Sequence, residues 1–420
     1  MASRSALRLL LREHGIPGGI ETVNIQLVKE FTELVDRVVW VMPRSRFDYF
    51  QQFLPPSDRL IYEAESWPDR ARLLHSFEKT VHFCLRQKNL PVRFVFENLR
   101  RTLSNVRLRR IIRDFNITHC FCSWVHVNVP RLSVPIGIIV LDVMWKYFPD
   151  SFGDFSADKV ERRFCNWLRK AQVLFPVSEV TAADIKRFYP WYAGAIRVVP
   201  HGTLSSRHDG MPSTPVADTP HNRPVFYYPA RAGTNKDHLT LFAACASLFA
   251  KGYDFEVVLT GDRTEHFNDT QPCNGAASIE LCRAFLQREQ ALFRGRLKVR
   301  GYCERAEVEA LYKRCTAVVL PSLREGFGLP LIEALENGTE IICSDIPAHR
   351  EQLARYDCFD EVTLFPAGDV QALAVEMEKL LIASRGPHWR RRSESNTLAQ
   401  WTWKDAATAY VEALSALTST

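Results

Sequence analysis

The 420-residue chain has no apolar stretch approaching the ~18 residues of a membrane-spanning helix, so no transmembrane helix is expected. Its beginning, MASRSALRLLLREHG, has only a short apolar run before Arg12-Glu13-His14 and no small-residue cleavage site. No secretory leader is read there, and a cytoplasmic setting is expected. Zinc-spaced Cys-x-x-Cys pairs are missing too. The eleven cysteines are scattered, and the only close pair, Cys120-Phe121-Cys122, lies in an apolar run. Buried, reduced thiols are the expectation. Excess charge is small: 54 Lys and Arg stand against 48 Asp and Glu, a formal net charge of +6. That is too little to imply a nucleic-acid binder from composition. Hydrophobic residues at 46% and charged ones at 24% are ordinary globular usage, which excludes collagen-like, disordered and low-complexity classes. A Gly-x-Gly-x-x-Gly loop is absent as well. The first apolar run leads into His14-Gly15-Ile16-Pro17-Gly18-Gly19, which argues against a dinucleotide-dependent oxidoreductase or epimerase.

The length predicts two to three domains at ~150 residues each. Short apolar runs alternate with longer amphipathic ones. In the first half the runs are Ala6–Leu11, Arg37–Met42, Thr118–Trp124, Ile136–Asp142, Gln172–Ser178 and Ile196–Pro200. In the second they are Val225–Pro229, Phe255–Gly261, Leu297–Gly301, Ala317–Pro321, Glu340–Ser344 and Val362–Phe365. They are rich in Val, Ile and Phe without strict alternation, as parallel strands covered on both faces are. Helical patterns fill gaps such as Glu21–Leu34, Asp237–Ala250, Glu304–Cys315 and Asp369–Ala383. This rhythm predicts an α/β protein of two doubly wound parallel sheets. Residues 204–224, rich in Ser, Pro, Thr, Asp and His, read as a linker or long loop. The expected domains are therefore 1–205 and 222–400, with a closing helix in Trp401–Leu417. Ligands of such proteins bind in the cleft at the carboxyl ends of the strands.

The segment Ala317–Leu335, AVVLPSLREGFGLPLIEAL, carries the most specific pattern. A buried strand ends at Pro321-Ser322, a loop holds Glu325-Gly326-Phe327-Gly328, and Pro330 opens a helix. Glycines let the backbone approach a ligand, and the free N–H groups of a helix start form an anion site. The segment reads as a diphosphate cradle with one carboxylate in the loop, Glu325, and another one turn into the helix, Glu333. Carboxylates repel phosphate, so these two suit sugar hydroxyls; a Gly-rich turn with a buried capping Glu is the plainer alternative. Arg231 and Lys236, five residues apart after the run Val225–Pro229, suit a diphosphate or are two solvated loop cations.

These features resemble the E-x7-E signature of retaining GT-B glycosyltransferases, specifically the large family 4 (glycosyl transferases group 1). Arg231 and Lys236 resemble its diphosphate pair, and Val198-Val199-Pro200-His201-Gly202 the end of its first domain. Phe175-Pro176-Val177-Ser178-Glu179 resembles the strand after which acceptor-domain helices resume, and Gly18-Gly19-Ile20-Glu21 the loop after strand one. Trp401-Thr402-Trp403-Lys404 resembles a closing helix that packs back on the N-terminal domain, here 401–420. The resemblance implies a GT-B fold: an N-terminal acceptor-side Rossmann-like domain and a C-terminal nucleotide-sugar donor-binding domain facing a cleft. It implies a hexosyltransferase of polysaccharide biosynthesis that uses a nucleotide-diphosphate sugar, GDP-mannose first or a UDP-hexose, on a glycan or lipid-linked acceptor. A catalytically silent scaffold is the rival within the fold. Glu325 is expected on donor-sugar hydroxyls, and Gly326, Phe327, Gly328 and Leu329 along the sugar and diphosphate. Glu333 is expected on the ribose, Arg231 and Lys236 on the leaving group, and Tyr302 and Gly261 beside the donor. Gly18 and Gly19 are expected to let the first domain approach the diphosphate.

No Asp-x-Asp cluster is evident, so the resemblance implies catalysis with no cofactor and no metal, the cations and the helix start replacing a divalent ion. It also implies retention by same-face attack, without a protein nucleophile. Where many relatives carry a His-Asp pair, this chain has Leu141 and Asp142; Asp142 stays a catalytic candidate. His126 is a candidate acceptor or sugar contact in the same cleft, or a structural residue just past a strand. Arg86–Arg113 holds nine Arg or Lys and one acidic residue, Glu97. Leu108, Ile111, Ile112 and Phe115 recur at helical spacing there. A helix over Arg100–Phe115 suits either a peripheral contact with the anionic inner face of a membrane or ordinary packing on the first domain. Nucleic acid is not an expected partner, because no reading motif accompanies the patch.

Overall fold

The computed structural model describes residues 5–12, 19–54, 56–64, 90–123, 132–152, 156–203, 223–269, 277–383 and 401–417. The first half alternates β1 (Ser5–Arg12), α1 (Gly19–Leu34), β2 (Val35–Met42), α2 (Phe47–Gln51), β3 (Leu60–Ala64), α3 (Leu90–Asp114), β4 (His119–Cys122), β5 (Ile136–Val140), α4 (Ala157–Leu168), β6 (Val173–Pro176), α5 (Glu179–Phe188) and β7 (Ala195–Ile196). The second runs β8 (Val225–Pro229), α6 (His238–Ala250), β9 (Glu256–Thr260), α7 (Ala277–Arg288), α8 (Gln290–Phe293), β10 (Leu297–Val299), α9 (Arg305–Arg314), β11 (Ala317–Leu320), α10 (Leu329–Glu336), β12 (Glu340–Ser344), α11 (Pro347–Arg355), β13 (Thr363–Phe365) and α12 (Val370–Ala383), and α13 (Trp403–Ser415) closes the chain.

Two all-parallel sheets result, in the orders β3-β2-β1-β4-β5-β6-β7 and β10-β9-β8-β11-β12-β13. Every position of β4, β5, β6 and β11 is buried, which is why these segments are apolar runs, broken only by His119 at the start of β4. In each sheet the strand order reverses once, between β1 and β4 and between β8 and β11. A doubly wound sheet opens its crevice at such a reversal, because the crossovers on either side leave in opposite directions. The loops after β8 and β11 flank that point in the second sheet, and they hold Arg231–Lys236 and Ser322–Gly328.

The last helix returns to the first sheet. Tyr410 is buried with its ring edge-on to Phe121 (5.0 Å), Phe175 (4.9 Å) and Phe31 (6.4 Å). Thr402 and Asp405 form a reciprocal capping box at the start of α13. Trp401 Nε1 donates to the Pro200 carbonyl at 3.1 Å, and Thr203 N donates to the Trp401 carbonyl at 3.1 Å. A methyl on Gly202 would run into the Trp403 backbone, so glycine lets these two segments touch.

Three expectations change. Leu60–Ala64 is a strand that the apolar runs did not announce; it is an edge strand, only Leu60 is buried, and its alternation is too weak to read. Ile196–Pro200 pairs as a strand only at Ala195–Ile196. Beyond it Arg197 N and Val199 N still donate to Leu174 and Pro176 carbonyls, at 2.9 and 3.0 Å. In α3, Leu108, Ile111 and Ile112 are buried in the first-sheet core, and Arg107 is buried against Glu63 at 2.7 Å. Packing is therefore the role this helix fills, and the arginines left exposed on its last turns are Arg109, Arg110 and Arg113. The nine cysteines among the described residues are free, seven of them buried; burial pushes the Cys120 thiol up to about 12.

Leu414 of α13 is fully buried, beside Gly137 of β5. Leu414→Ala should cost about 2–5 kcal/mol in urea unfolding. Ile382→Ala, at a side chain 60% exposed, should stay within about 0.5 kcal/mol. Equal effects would show that α13 is not part of the core.

Candidate active site

The strand β11 ends at Pro321 and Ser322, both buried, and its chain then turns through Glu325 to Gly328. Gly328 has φ +91°, a left-handed conformation that glycine adopts without strain, and it starts α10. No side chain caps that N-terminus, and Pro occupies its first turn. The helix end thus presents backbone N–H groups and the positive end of its dipole to whatever lies in the crevice.

Glu325 is largely but not fully buried, its side chain 12% exposed, and is held at one carboxylate oxygen. Oε1 accepts from Ser322 Oγ at 2.7 Å and from the Lys236 ammonium. Burial raises the pKa of Glu325, but the Lys236 charge and its hydrogen bond prevail and hold it below the usual carboxylate value. Lys236 ends a short 3-10 turn, Thr234–Lys236, and Asp237 follows at φ +48°, its carboxylate capping α6 through Thr240 N. Buried Tyr228 donates to the Lys236 carbonyl at 2.6 Å, which fixes the turn. The two loops are joined directly: Leu323 N donates to the Asn235 carbonyl at 2.8 Å, and Asn235 Nδ2 to the Arg324 carbonyl at 3.1 Å. Arg231 is exposed and in no ion pair among the described residues, yet its charge acts on Asp142.

Glu333 lies one turn into α10, where Oε2 accepts from the buried Tyr312 hydroxyl at 2.7 Å. Burial raises its pKa, so it is the more easily protonated of the two glutamates. Gly261, at φ +124°, and Gly301, at φ +69°, shape the neighbouring strand ends; Gly261 N donates to the Gly301 carbonyl at 2.7 Å. A methyl at Gly261 would lie 2.5 Å from the Ala230 carbonyl carbon, just before Arg231. Tyr302 next to Gly301 is 46% exposed, and across the cleft its hydroxyl interacts with Tyr49.

The first domain meets this loop backbone to backbone. A methyl at Gly326 would overlap the Leu141 carbonyl oxygen and lie 3.1 Å from Asp142 Cβ. Ser178, which caps α5, also donates to the Gly326 carbonyl at 2.6 Å. Asp142 Oδ1 accepts from Met144 N at 3.0 Å; burial raises its pKa, and nearby Glu325 adds to that. Phe327 is buried edge-on to His201 at 4.9 Å. Gly19, at the start of α1, lies 3.4 Å, measured from a hypothetical Cβ, from Leu329 Cδ1. The fold therefore gathers Glu325, Lys236, Arg231, Asp142, Gly326 to Leu329 and Gly19, while Glu333 bonds Tyr312 and Tyr302 neighbours Tyr49. Gly18 and His126 lie outside the described residues.

Several site residues escaped the sequence reading. Ser322 was legible in principle, because Ser-x-x-Glu is a local capping pattern. Buried His349 packs against Gly328, its Nδ1–H donating to the Ser344 carbonyl at 2.8 Å, and burial keeps it neutral. Nothing local announced it. Among the described residues no group of three or more His, Cys, Asp or Glu could hold a metal ion.

Residues 214–396 match the family model described as Glycosyl transferases group 1. Over 215 residues, 47% of this chain, the sequence is 28% identical to the serotype-specific mannosyltransferase WbdA of Escherichia coli and covers 25% of that protein. The chain thus spans about a quarter of the length of the WbdA proteins it matches. Over 47 residues, 11% of this chain and 13% of the relative, it is 49% identical to the O-antigen chain mannosyltransferase RfbU of Salmonella typhimurium. In fold it resembles Anabaena HepE, solved with UDP and glucose, at a TM-score of 0.61 and 14% identity over 98% of this chain and 100% of that one. The fold is GT-B.

The Gly326 contact yields a direct test. Gly326→Ala should hold the domains apart, raising the radius of gyration in small-angle scattering while far-UV circular dichroism stays unchanged. An unaltered radius would mean that the loop does not set the approach of the domains.

Proposed function

We propose that this chain, whose residues 214–396 match the glycosyl transferases group 1 model, is a member of that family and a retaining glycosyltransferase that moves a hexose, with mannose the leading candidate, from a nucleotide-diphosphate sugar to a glycan or lipid-linked acceptor. The observation that carries the reading is the largely buried Glu325 paired with Lys236 beside an uncapped helix N-terminus, at the strand-order reversal of the second sheet. Breaking a bond from an anomeric carbon to phosphate leaves positive charge on the sugar and negative charge on the diphosphate. A fixed carboxylate suits the first, and Arg231, Lys236 and the N–H groups of α10 suit the second. No resident metal is part of the proposal; the protein cations take that work.

Glu325 is tied to Lys236 and Ser322, which suits an electrostatic group better than an attacking nucleophile. Retention then follows from attack on the face the diphosphate leaves, with the departing phosphate taking the acceptor proton. Asp142, pressed against Gly326, is assigned in this reading to the sugar side from the first domain. In this reading Glu333 takes the ribose, and Gly261 and Tyr302 take the rest of the nucleotide. Mannose and a glycan acceptor are supported by relatives named as mannosyltransferases, one of them for an O-antigen chain. A membrane contact is left out, because the apolar stripe of α3 that would enter a bilayer is buried.

The two glutamates should fail differently in assays with nucleotide sugar and EDTA, conditions under which wild-type turnover should persist. Glu333→Gln should raise donor KM more than it lowers kcat, since the ribose is unchanged by the reaction. Glu325→Gln should chiefly lower kcat, by roughly 2–4 kcal/mol of barrier. Equal kinetic losses with unchanged melting temperatures would defeat this division of roles. Turnover that stops in EDTA and returns with Mg²⁺ would refute the part given to the protein cations.

A further inference from the structure

Arg324 precedes Glu325 and sends its side chain out of the loop to the first domain. Nη2 donates to Asp184 Oδ2 of α5 at 2.5 Å. The guanidinium carbon lies 3.7 Å over the centre of the Tyr147 ring. Tyr147 in turn donates its hydroxyl to Asp184 Oδ1 at 2.5 Å. One carboxylate therefore holds both the cation and the ring beneath it. The pair is largely shielded, with side-chain exposures of 21% for Arg324 and 12% for Asp184. In such a setting a charged hydrogen bond is strong, and losing one partner strands the other.

Each end of this bridge leads to a candidate catalytic carboxylate. The backbone of Arg324 is pinned by Asn235, the neighbour of Lys236, and its chain continues into Glu325. Tyr147 follows the 3-10 turn Met144–Lys146, whose first N–H is bound by Asp142. The helix carrying Asp184 is anchored to the second domain at its N-terminus as well: Glu351 accepts from Glu179 N at 2.8 Å and Val180 N at 3.1 Å. Thr181 of α5 also reaches the Gly326 and Leu141 carbonyls, at 3.4 Å each, but Arg324 brings a charge and a planar stack to the same junction of the loop of Glu325, the helix α5 and the loop of Asp142.

We propose that Arg324 is a positioning residue and interdomain latch: its bridge to Asp184 and Tyr147 makes closure of the cleft set Glu325 and Asp142 against each other. Its catalytic consequence rests on the glycosyltransferase reading, whereas the latch itself does not. The groups assigned to the diphosphate, Arg231, Lys236 and the start of α10, belong to the second domain, and the Arg324 side chain pairs with Asp184 rather than with any of them. Nucleoside diphosphate binding should therefore survive loss of the latch, while turnover should not.

The experiment uses the full chain with Arg324→Met, Asp184→Asn, Arg324→Lys and the Met–Asn double variant. Readouts are melting temperature, radius of gyration by small-angle scattering, Kd of UDP and GDP by calorimetry, and kcat with nucleotide sugar. Arg324→Met and Asp184→Asn should each enlarge the radius and lower kcat by about 10–100-fold, the scale of a reacting group displaced by about 1 Å. Kd should stay within about threefold. The double variant should be no worse than the worse single one, because both remove the same bridge. Arg324→Lys, which keeps charge without the planar fork, should fall between. Wild-type kcat in folded Asp184→Asn, or losses that multiply in the double variant, would overturn the proposal. If Arg324→Met does not fold, Asp184→Asn alone decides. If the wild type neither binds these nucleotides nor turns over a donor, the glycosyltransferase reading fails; the radius still decides the latch, and unchanged scattering in both single variants refutes it.

Discussion

A carboxylate cannot stay ionised in a protein interior without a partner, and the pairing of Glu325 with Lys236 meets that requirement. Much of the surrounding architecture serves to keep the two together. Tyr228 fixes the turn that presents Lys236, Ser322 supplies a second donor to Glu325, and two hydrogen bonds join the loops that carry them. The sign of the Glu325 shift has a consequence for stability. With its folded pKa below the unfolded value, Glu325 contributes stability that is present above the unfolded pKa and lost as pH falls through the folded one. Asp142 acts in the opposite sense. Its raised pKa means that its ionised form weakens the fold as pH rises out of the acid range, a cost that cations nearby reduce.

The second constraint is the contact at Gly326. Because Gly326 has no side chain, the loop reaches the end of β5, where Leu141 and Asp142 pack against it and Ser178 donates to its carbonyl. The site is therefore shared: the second domain supplies cations and the helix start, and the first supplies Asp142. The returning helix α13 and the packing of His201 between Phe327 and Trp403 hold the connection between the domains in the same neighbourhood. Burial lowers the pKa of His201 to about 3, so it stays a neutral packing group at ordinary pH.

Much of the fold was legible because both sheets are parallel and covered. Val225–Pro229 and Glu340–Ser344 were read at the bounds the structure shows, since a buried strand has an unbroken apolar signature with polar ends. Leu60–Ala64 was not legible because an edge strand half in water lacks that signature. In the site, Glu325 and Glu333 stood out through the glycines and proline around them, and Lys236 through its place after a strand. That Lys236 binds Glu325 was not legible; the two are 89 residues apart, and only the strand order brings their loops together. Asp184 and Ser178 were hidden for the same reason, as ordinary polar residues on an amphipathic helix. Arg107 was read on the charged face of a basic helix, and it is instead buried on Glu63, because the long side chain reaches past the stripe to the end of β3.

The most direct test of this account is the pH dependence of kcat/KM in Lys236→Met. With the ammonium gone, burial is left as the largest influence on Glu325, and its pKa must rise. The account predicts that the acidic limb of the profile moves to higher pH than in the wild type, together with a loss of kcat/KM corresponding to roughly 1.5–3 kcal/mol. An acidic limb that stays in place, in a folded and active variant, would contradict the claim that Lys236 keeps Glu325 ionised for catalysis.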